Sequence, residues 1–161
     1  MAHIELRALD DDDLDAVFEM MRDPVAVAMA SFTAADPSDR AAFDTHMAKV
    51  RADPENALYV VTERGGFAGT AGAYTSEGER ELTYWIARHA WGRGVATEAL
   101  RLLISREPTR PLFARVAAHN AGSIAVLEKN GFAEVSRSVG FAAGLGREIE
   151  ELKLALVPTI E

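Results

Sequence analysis

Residues 81–103 constrain this chain most. Thr83, Tyr84, Trp85 and Ile86 are β-branched or aromatic, as a half-buried strand prefers; Gly92 and Gly94 follow. A helical spacing then starts at once, with Ala96, Ala99, Leu100 and Leu103 on one face. A glycine turn that opens a helix is a physical anion site, because free backbone N–H groups and the positive end of the helix dipole point into the turn. The same segment also serves as a plain strand–helix connection whose glycines allow tight packing, so the turn alone leaves both readings open.

The rest of the chain fits around this unit. Residues 3–9 alternate apolar and polar, which predicts a first strand. The run Asp10, Asp11, Asp12, Asp13 lacks the alternating ligands and central glycine of a calcium loop and reads as capping for the next helix. That helix carries a Leu14, Val17, Phe18, Met21 stripe and ends at Asp23-Pro24. Residues 25–36 read as a short helix or a loop covering a pocket, and a second helix follows over 39–52. Strands at 58–62 and 67–74 are joined by a tight turn at Gly65-Gly66; Gly69 and Gly72 point to a bulge or a close backbone approach. A polar turn at 76–79 leads into the strand at 81–87.

After the central helix, Pro108 and Pro111 break the chain. Leu112, Phe113, Val116 and Ala118 then form a strand that the crossover rule sets parallel to residues 81–87. A second loop-to-helix junction covers residues 119–123, Gly131 suits the end of its helix, and strands at 132–139 and 148–157 flank a connection bearing Gly140, Gly144 and Gly146. The order β-α-α-β-β-β-α-β-α-β-β defines an α/β fold with a mixed, mostly antiparallel central sheet flanked by helices. At 161 residues, one domain over 1–161 is expected.

Composition removes whole classes of function. The chain has no cysteine, hence no disulfide, no thiolate metal site and no cysteine nucleophile. Its four histidines lack metal-ligand spacing, so no metal is expected. A net charge of −8 argues against a nucleic-acid partner and suits a cationic or amine-bearing ligand. The absence of an apolar run near 20 residues and of a signal pattern leads us to expect a cytoplasmic protein without a membrane partner. Competing glycine-loop readings fail on their own chemistry. Val95 and Ala96 stand where a P-loop needs lysine and a hydroxyl; Thr97 closes Gly92-x-Gly94-x-x-Thr97 where a dinucleotide fingerprint has glycine; Gly-x-Ser-x-Gly is absent.

Three segments carry a resemblance: Glu81-Leu-Thr-Tyr-Trp-Ile; Trp91-Gly92-Arg93-Gly94-Val95-Ala96-Thr97-Glu98-Ala99; and Asn120-x-x-Ser123-x-x-Val126-Leu127-Glu128-Lys129-x-Gly131-Phe132. In this order and spacing the chain resembles the GNAT superfamily of N-acetyltransferases, in particular the branch that acetylates the N-termini of ribosomal proteins. Trp91 departs from the Gln or Arg that usually opens the superfamily's pyrophosphate loop.

The resemblance implies direct transfer of acetyl from acetyl-CoA to a primary amine of a small molecule or protein N-terminus. It assigns the pyrophosphate to the turn formed by Trp91, Gly92, Arg93, Gly94, Val95, Ala96 and Thr97, and the pantetheine arm to the backbone of Trp85, Ile86 and Ala87, lying as a false strand where this strand splays from its parallel neighbour. Ser123 is the candidate hydroxyl donor to the leaving thiolate, and Asn120 a further coenzyme contact. Glu81 is the candidate base or water-organiser, with His119 the other candidate. Phe32, Phe141 and Arg147 are expected to face the acceptor. Many family members are dimers, which allows a homodimer. Two alternatives remain at this stage: an acyl-CoA-binding sensor or accessory domain without transfer activity, and a transferase for a longer acyl-CoA.

Overall fold

Alternating patterns along the chain build one twisted sheet, covered by helices whose apolar stripes need a partner. In the computed structural model, which describes residues 3–158, the strands are β1 (Ile4–Ala8), β2 (Ala57–Glu63), β3 (Gly66–Ser76), β4 (Glu79–Ile86), β5 (Leu112–Ala117), β6 (Ala133–Ala142) and β7 (Arg147–Leu156). They form a sheet in the order β1-β2-β3-β4-β5-β7-β6, antiparallel throughout except for β4 with β5. The helices are α1 (Leu14–Met21), α2 (Pro24–Ala30), α3 (Arg40–Ala52), α4 (Val95–Arg106) and α5 (Ala121–Lys129). This is the mixed, mostly antiparallel α/β architecture expected from the element order.

Helix α4 packs Val95, Ala99, Leu100 and Leu103 against Leu82 and Ile86 of β4, Leu112 and Val116 of β5, and Leu152 and Leu154 of β7, the main core. Ala96, expected on this stripe, is only partly buried, while its neighbour Val95 is buried. On the opposite face Val17 and Met20 of α1 meet Ala87, with Trp85, Phe43 and Phe67 alongside.

Two boundaries differ from the sequence reading, and two points it left open are settled. A short helix, α2, occupies part of the segment left open, because Pro24 stands at its first turn and the Asp23 carboxylate accepts from the Val25 N–H at 3.1 Å. The β2–β3 turn is Arg64-Gly65, and Gly66 already pairs with Glu63. Strand β6 runs on to Ala142, so Gly140 lies within it. Strand β7 lies beside β5, a neighbour the sequence did not set. The expectation for Gly69 holds: the β2–β3 register shifts between Val61 and Thr62, and a Cβ at Gly69 would stand 2.1 Å from the Trp85 carbonyl oxygen.

The acidic run caps, as read. Asp10 and Asp13 form a capping box, and Asp13 also takes a two-pronged bond from Arg7 at 2.7 and 2.8 Å. That guanidinium holds the Asp13 carboxyl below its usual range. Across the molecule Glu107 receives the Arg80 Nε–H at 2.7 Å and ties the end of α4 to the start of β4. Burial pushes the Glu107 carboxyl up, but the bonds from Arg80 and Thr109 outweigh it and hold it below its usual range.

A carboxyl lowered in the folded state stabilises the fold above its unfolded pKa and loses that contribution as pH falls through its folded one. The contribution of these two groups to the melting temperature is therefore expected to be constant with pH near neutrality and to be lost below about pH 4. Asp13→Asn with Glu107→Gln should lower the neutral melting temperature and flatten the acid limb; a limb as steep as in the parent would contradict this.

Candidate active site

Strand β4 pairs with β5 only at Arg80–Leu112 and Glu81–Phe113, and then the two strands part. On its other side β4 stays paired with β3 through to Ile86. The Trp85 carbonyl faces β3 at Gly69, and the Ala87 N–H donates to the Ala68 carbonyl at 2.8 Å. Alternation along an antiparallel ladder therefore turns the backbone groups of Tyr84 and Ile86 toward the open edge. Of the three residues expected to offer backbone to the coenzyme, Ile86 turns its backbone toward the open edge. Trp85 and Ala87 are bonded within the sheet, and Tyr84 takes the second place. The Ile86 carbonyl accepts the Trp91 indole N–H at 2.7 Å, which anchors the start of the glycine turn to the end of β4.

That turn leads straight into α4. Gly94 is the N-cap, at φ +77°, and supplies no side-chain cap, so the first N–H groups of α4 are free of side-chain partners. A Cβ at Gly92 or Gly94 would meet nothing within 4 Å; the front of the turn is open space. Arg93 reaches back to Glu63 in an ion pair, Val95 is buried, and Ala96 and Thr97 are half-buried. The Thr97 carbonyl accepts from Asn130 at 3.2 Å, which joins α4 to α5. Bare amides, a helix dipole and an open strand edge fit a phosphate-bearing chain such as acetyl-CoA.

Asn120 caps α5: its Oδ1 accepts the Ser123 N–H at 3.2 Å. Its carbonyl oxygen is thus engaged in its own helix. The Ser123 hydroxyl bonds Tyr84, not the helix backbone. The Tyr84 hydroxyl also lies 3.4 Å from the Ser123 carbonyl, and the contact joins β4 to α5 across the cleft. Burial raises the Tyr84 pKa, and the bond to Ser123 opposes the shift only in part.

Glu81 is not a solvated strand end. It is 3% exposed, and its Oε1 accepts from Arg115 Nε at 3.0 Å; the same guanidinium lies 3.6 Å from Glu151. Tyr74 pairs with Glu81 across the ladder. Burial raises the Glu151 carboxyl; Arg115 opposes this and the Glu81 charge adds to it. Burial and the Glu81 charge likewise raise Tyr74. Neither Tyr84 nor the Arg115–Glu151 pair emerged as a site from the sequence. The available signal was the tyrosine itself, since a packed phenol needs a partner for its hydroxyl.

The acceptor-side candidates divide. Phe32 packs against Ala117, Ala142 and Ile149 near Gly140. His119 is exposed, with Nε2 3.2 Å from Ser31 Oγ and 3.3 Å from the Ala28 carbonyl. Because Ser31 Oγ donates to the Ala28 carbonyl at 2.8 Å, it can only accept from His119, so Nε2 carries the proton. Arg147 is exposed at the start of β7. Gly140 and Ala142 face Phe32, so Phe141 between them projects from the opposite face, where it is 65% exposed. Phe141 and Phe32, both expected to face the acceptor, thus stand on opposite faces of β6, and the strand's added length sets that direction.

A family model for the acetyltransferase (GNAT) domain matches residues 3–133. The chain belongs to the GNAT acetyltransferase family. It is an acetyl-CoA-dependent acetyltransferase, and acetyl-CoA is its cosubstrate. No curated protein sequence matches it significantly. Among solved structures, the chain is similar to spermidine N-acetyltransferase from Vibrio cholerae in complex with CoA and spermine (TM-score 0.82, 18% identity, 96% of this chain and 95% of that one). It is also similar to Mycobacterium smegmatis RimJ in complex with CoA-disulfide (0.80, 21%, 96% and 81%). A third is the ribosomal-protein-alanine N-acetyltransferase of Brucella melitensis (0.74, 24%, 96% and 99%). At these identities the likeness is one of fold, and no single branch stands out. Among the described residues there is no metal-binding cluster and no helix long and apolar enough to cross a membrane.

Proposed function

We propose that the chain, as one catalytic domain over residues 1–161, moves acetyl directly from acetyl-CoA to a primary amine of a small molecule or a protein N-terminus. The observation that carries this reading is the parting of β4 from β5: it leaves a strand edge open beside the glycine turn, with the buried Glu81 carboxylate where the strands diverge. The amides of Arg93, Gly94, Val95, Ala96 and Thr97 hold the pyrophosphate, with Trp91 and Gly92 shaping the turn. The open edge at Tyr84 and Ile86 holds the pantetheine arm where a neighbouring strand would lie, and an edge N–H stabilises the oxyanion. Acetyl-CoA supplies an activated thioester.

Glu81 accepts the amine's proton, directly or through water. Ser123 donates a hydrogen bond to the leaving sulfur, whose pKa lies near the ~8.5 of a free thiol. Glu81 and Glu151 around the single guanidinium of Arg115 leave an excess negative charge, which suits an arriving ammonium. Phe32, His119 and Arg147 border the acceptor.

The likeness to enzymes that acetylate ribosomal-protein N-termini makes N-terminal amines one class of acceptor to test, and the fold shared with a spermidine acetyltransferase makes polyamines another. The test is CoA release with alanine-initiated peptides, spermidine and amino-acid-derived amines. Release that depends on one amine class supports the proposal. Coenzyme binding without release on any amine would favour a sensor, and preference for succinyl-CoA or longer donors would reject acetyl as the native group.

A further inference from the structure

The strand edge at Tyr84 carries a hydroxyl that the transfer chemistry above leaves unassigned. We propose that Tyr84 is a positioning residue: its O–H donates to Ser123 Oγ, so that the serine's own proton is directed into the cleft toward the coenzyme sulfur. The inference rests on the reading of Ser123 as donor to the leaving group.

Three observations carry it. The Tyr84 ring packs against the main core, so its hydroxyl has little freedom to turn elsewhere. Two acceptors lie in reach, Ser123 Oγ and the Ser123 carbonyl, and the carbonyl at 3.4 Å is at the limit of a hydrogen bond, which makes Oγ the principal partner. Ser123 is itself held in place through Asn120, whose Oδ1 accepts its N–H at 3.2 Å, and its hydroxyl makes no bond to its own helix.

A serine hydroxyl left free in a helix's first turn tends to bond nearby backbone. Donation from Tyr84 occupies an Oγ lone pair and leaves the Ser123 hydrogen as the free end of a two-link chain, which such a chain also polarises. Burial raises the phenol's pKa, so Tyr84 keeps its proton across the working range and remains a donor. No proton is transferred from Tyr84: the thiolate accepts a hydrogen bond from Ser123, and solvent protonates it after release.

The chain has no cysteine, so in a complex with free CoA the only thiol is the coenzyme's. Its ultraviolet thiolate absorbance, followed against pH, reads the hydrogen bond without any acceptor amine. The bound CoA thiol is expected to titrate about one unit below free CoA in the parent protein. Tyr84→Phe and Ser123→Ala should each remove most of that shift, and the double variant should match Ser123→Ala alone. CoA affinity and melting temperature of Tyr84→Phe should stay near the parent's, while kcat on an accepted amine falls about tenfold with KM for acetyl-CoA unchanged.

A Tyr84→Phe protein whose bound thiol titrates as in the parent, beside a Ser123→Ala protein whose thiol does not, would overturn the proposal and leave Ser123 as donor. Additive effects of the two substitutions would place Tyr84 outside the Ser123 path. A bound thiol that titrates as low in Ser123→Ala as in the parent would remove the donor reading itself. A Tyr84→Phe protein that fails to fold would make the hydroxyl a structural group and overturn the proposal equally.

Discussion

Glu81→Gln is expected to lower kcat/KM for amine acetylation by about 100-fold or more at neutral pH, with acetyl-CoA affinity retained. The expectation follows from where the carboxylate sits. Glu81 belongs to the last paired position before β4 and β5 part, is 3% exposed, and is oriented by Arg115 at 3.0 Å. An alkylammonium with a pKa near 10 is almost wholly protonated at neutral pH and must give up that proton for nitrogen to attack. Glutamine keeps the size of the side chain and can still accept from Arg115, but it cannot take a proton. The residual rate of the variant should climb with pH as the free-amine fraction does. A rate and alkaline dependence unchanged from the parent would remove Glu81 as the base, and His119 would be the next residue to substitute.

Gly94→Val is expected to weaken acetyl-CoA binding by about 10- to 100-fold, through a backbone cost of ~1–3 kcal/mol and an obstructed turn. Gly94 stands at φ +77°, a left-handed conformation that a β-branched residue adopts only under strain. A Cβ there would meet no protein atom within 4 Å, so the fold itself does not exclude the side chain. The valine would instead stand in the open front of the turn, where phosphate must approach bare amides most closely. Calorimetry with acetyl-CoA, alongside a thermal melt, separates the two costs. A melting temperature lower by a few degrees with a much weaker Kd is the expected pair; an unchanged Kd would mean that the turn is only a connection between strand and helix.

The fold and the strand–turn–helix on which the coenzyme reading rests were legible in the sequence because both depend on local signals. Strand residues Thr83 to Ile86, the glycines at 92 and 94 and the stripe of Ala99, Leu100 and Leu103 lie within one short segment and dictate a strand–turn–helix by periodicity alone. The surroundings of Glu81 were not legible, because they are assembled across the sheet. Glu81 meets Arg115 from a strand 34 residues away, and Glu151 comes from a strand whose place beside β5 no local pattern reveals. Tyr84 looks like any aromatic strand former until α5 brings Ser123 to its hydroxyl. Asn120 reads as a ligand contact by resemblance, yet its Oδ1 is committed to capping α5. Phe141 turned on parity: once β6 runs on to Ala142, alternation sends its ring to the far face.

The most direct test of the central claim, that the cleft between β4 and β5 holds the coenzyme for transfer, is isothermal titration of the purified protein with acetyl-CoA, with NADH and ATP as controls. Binding of acetyl-CoA alone, in the micromolar range and at one site per chain, is the result this account predicts. No binding of acetyl-CoA would contradict it, and the turn at Gly92 and Gly94 would then be an element of the fold and nothing more.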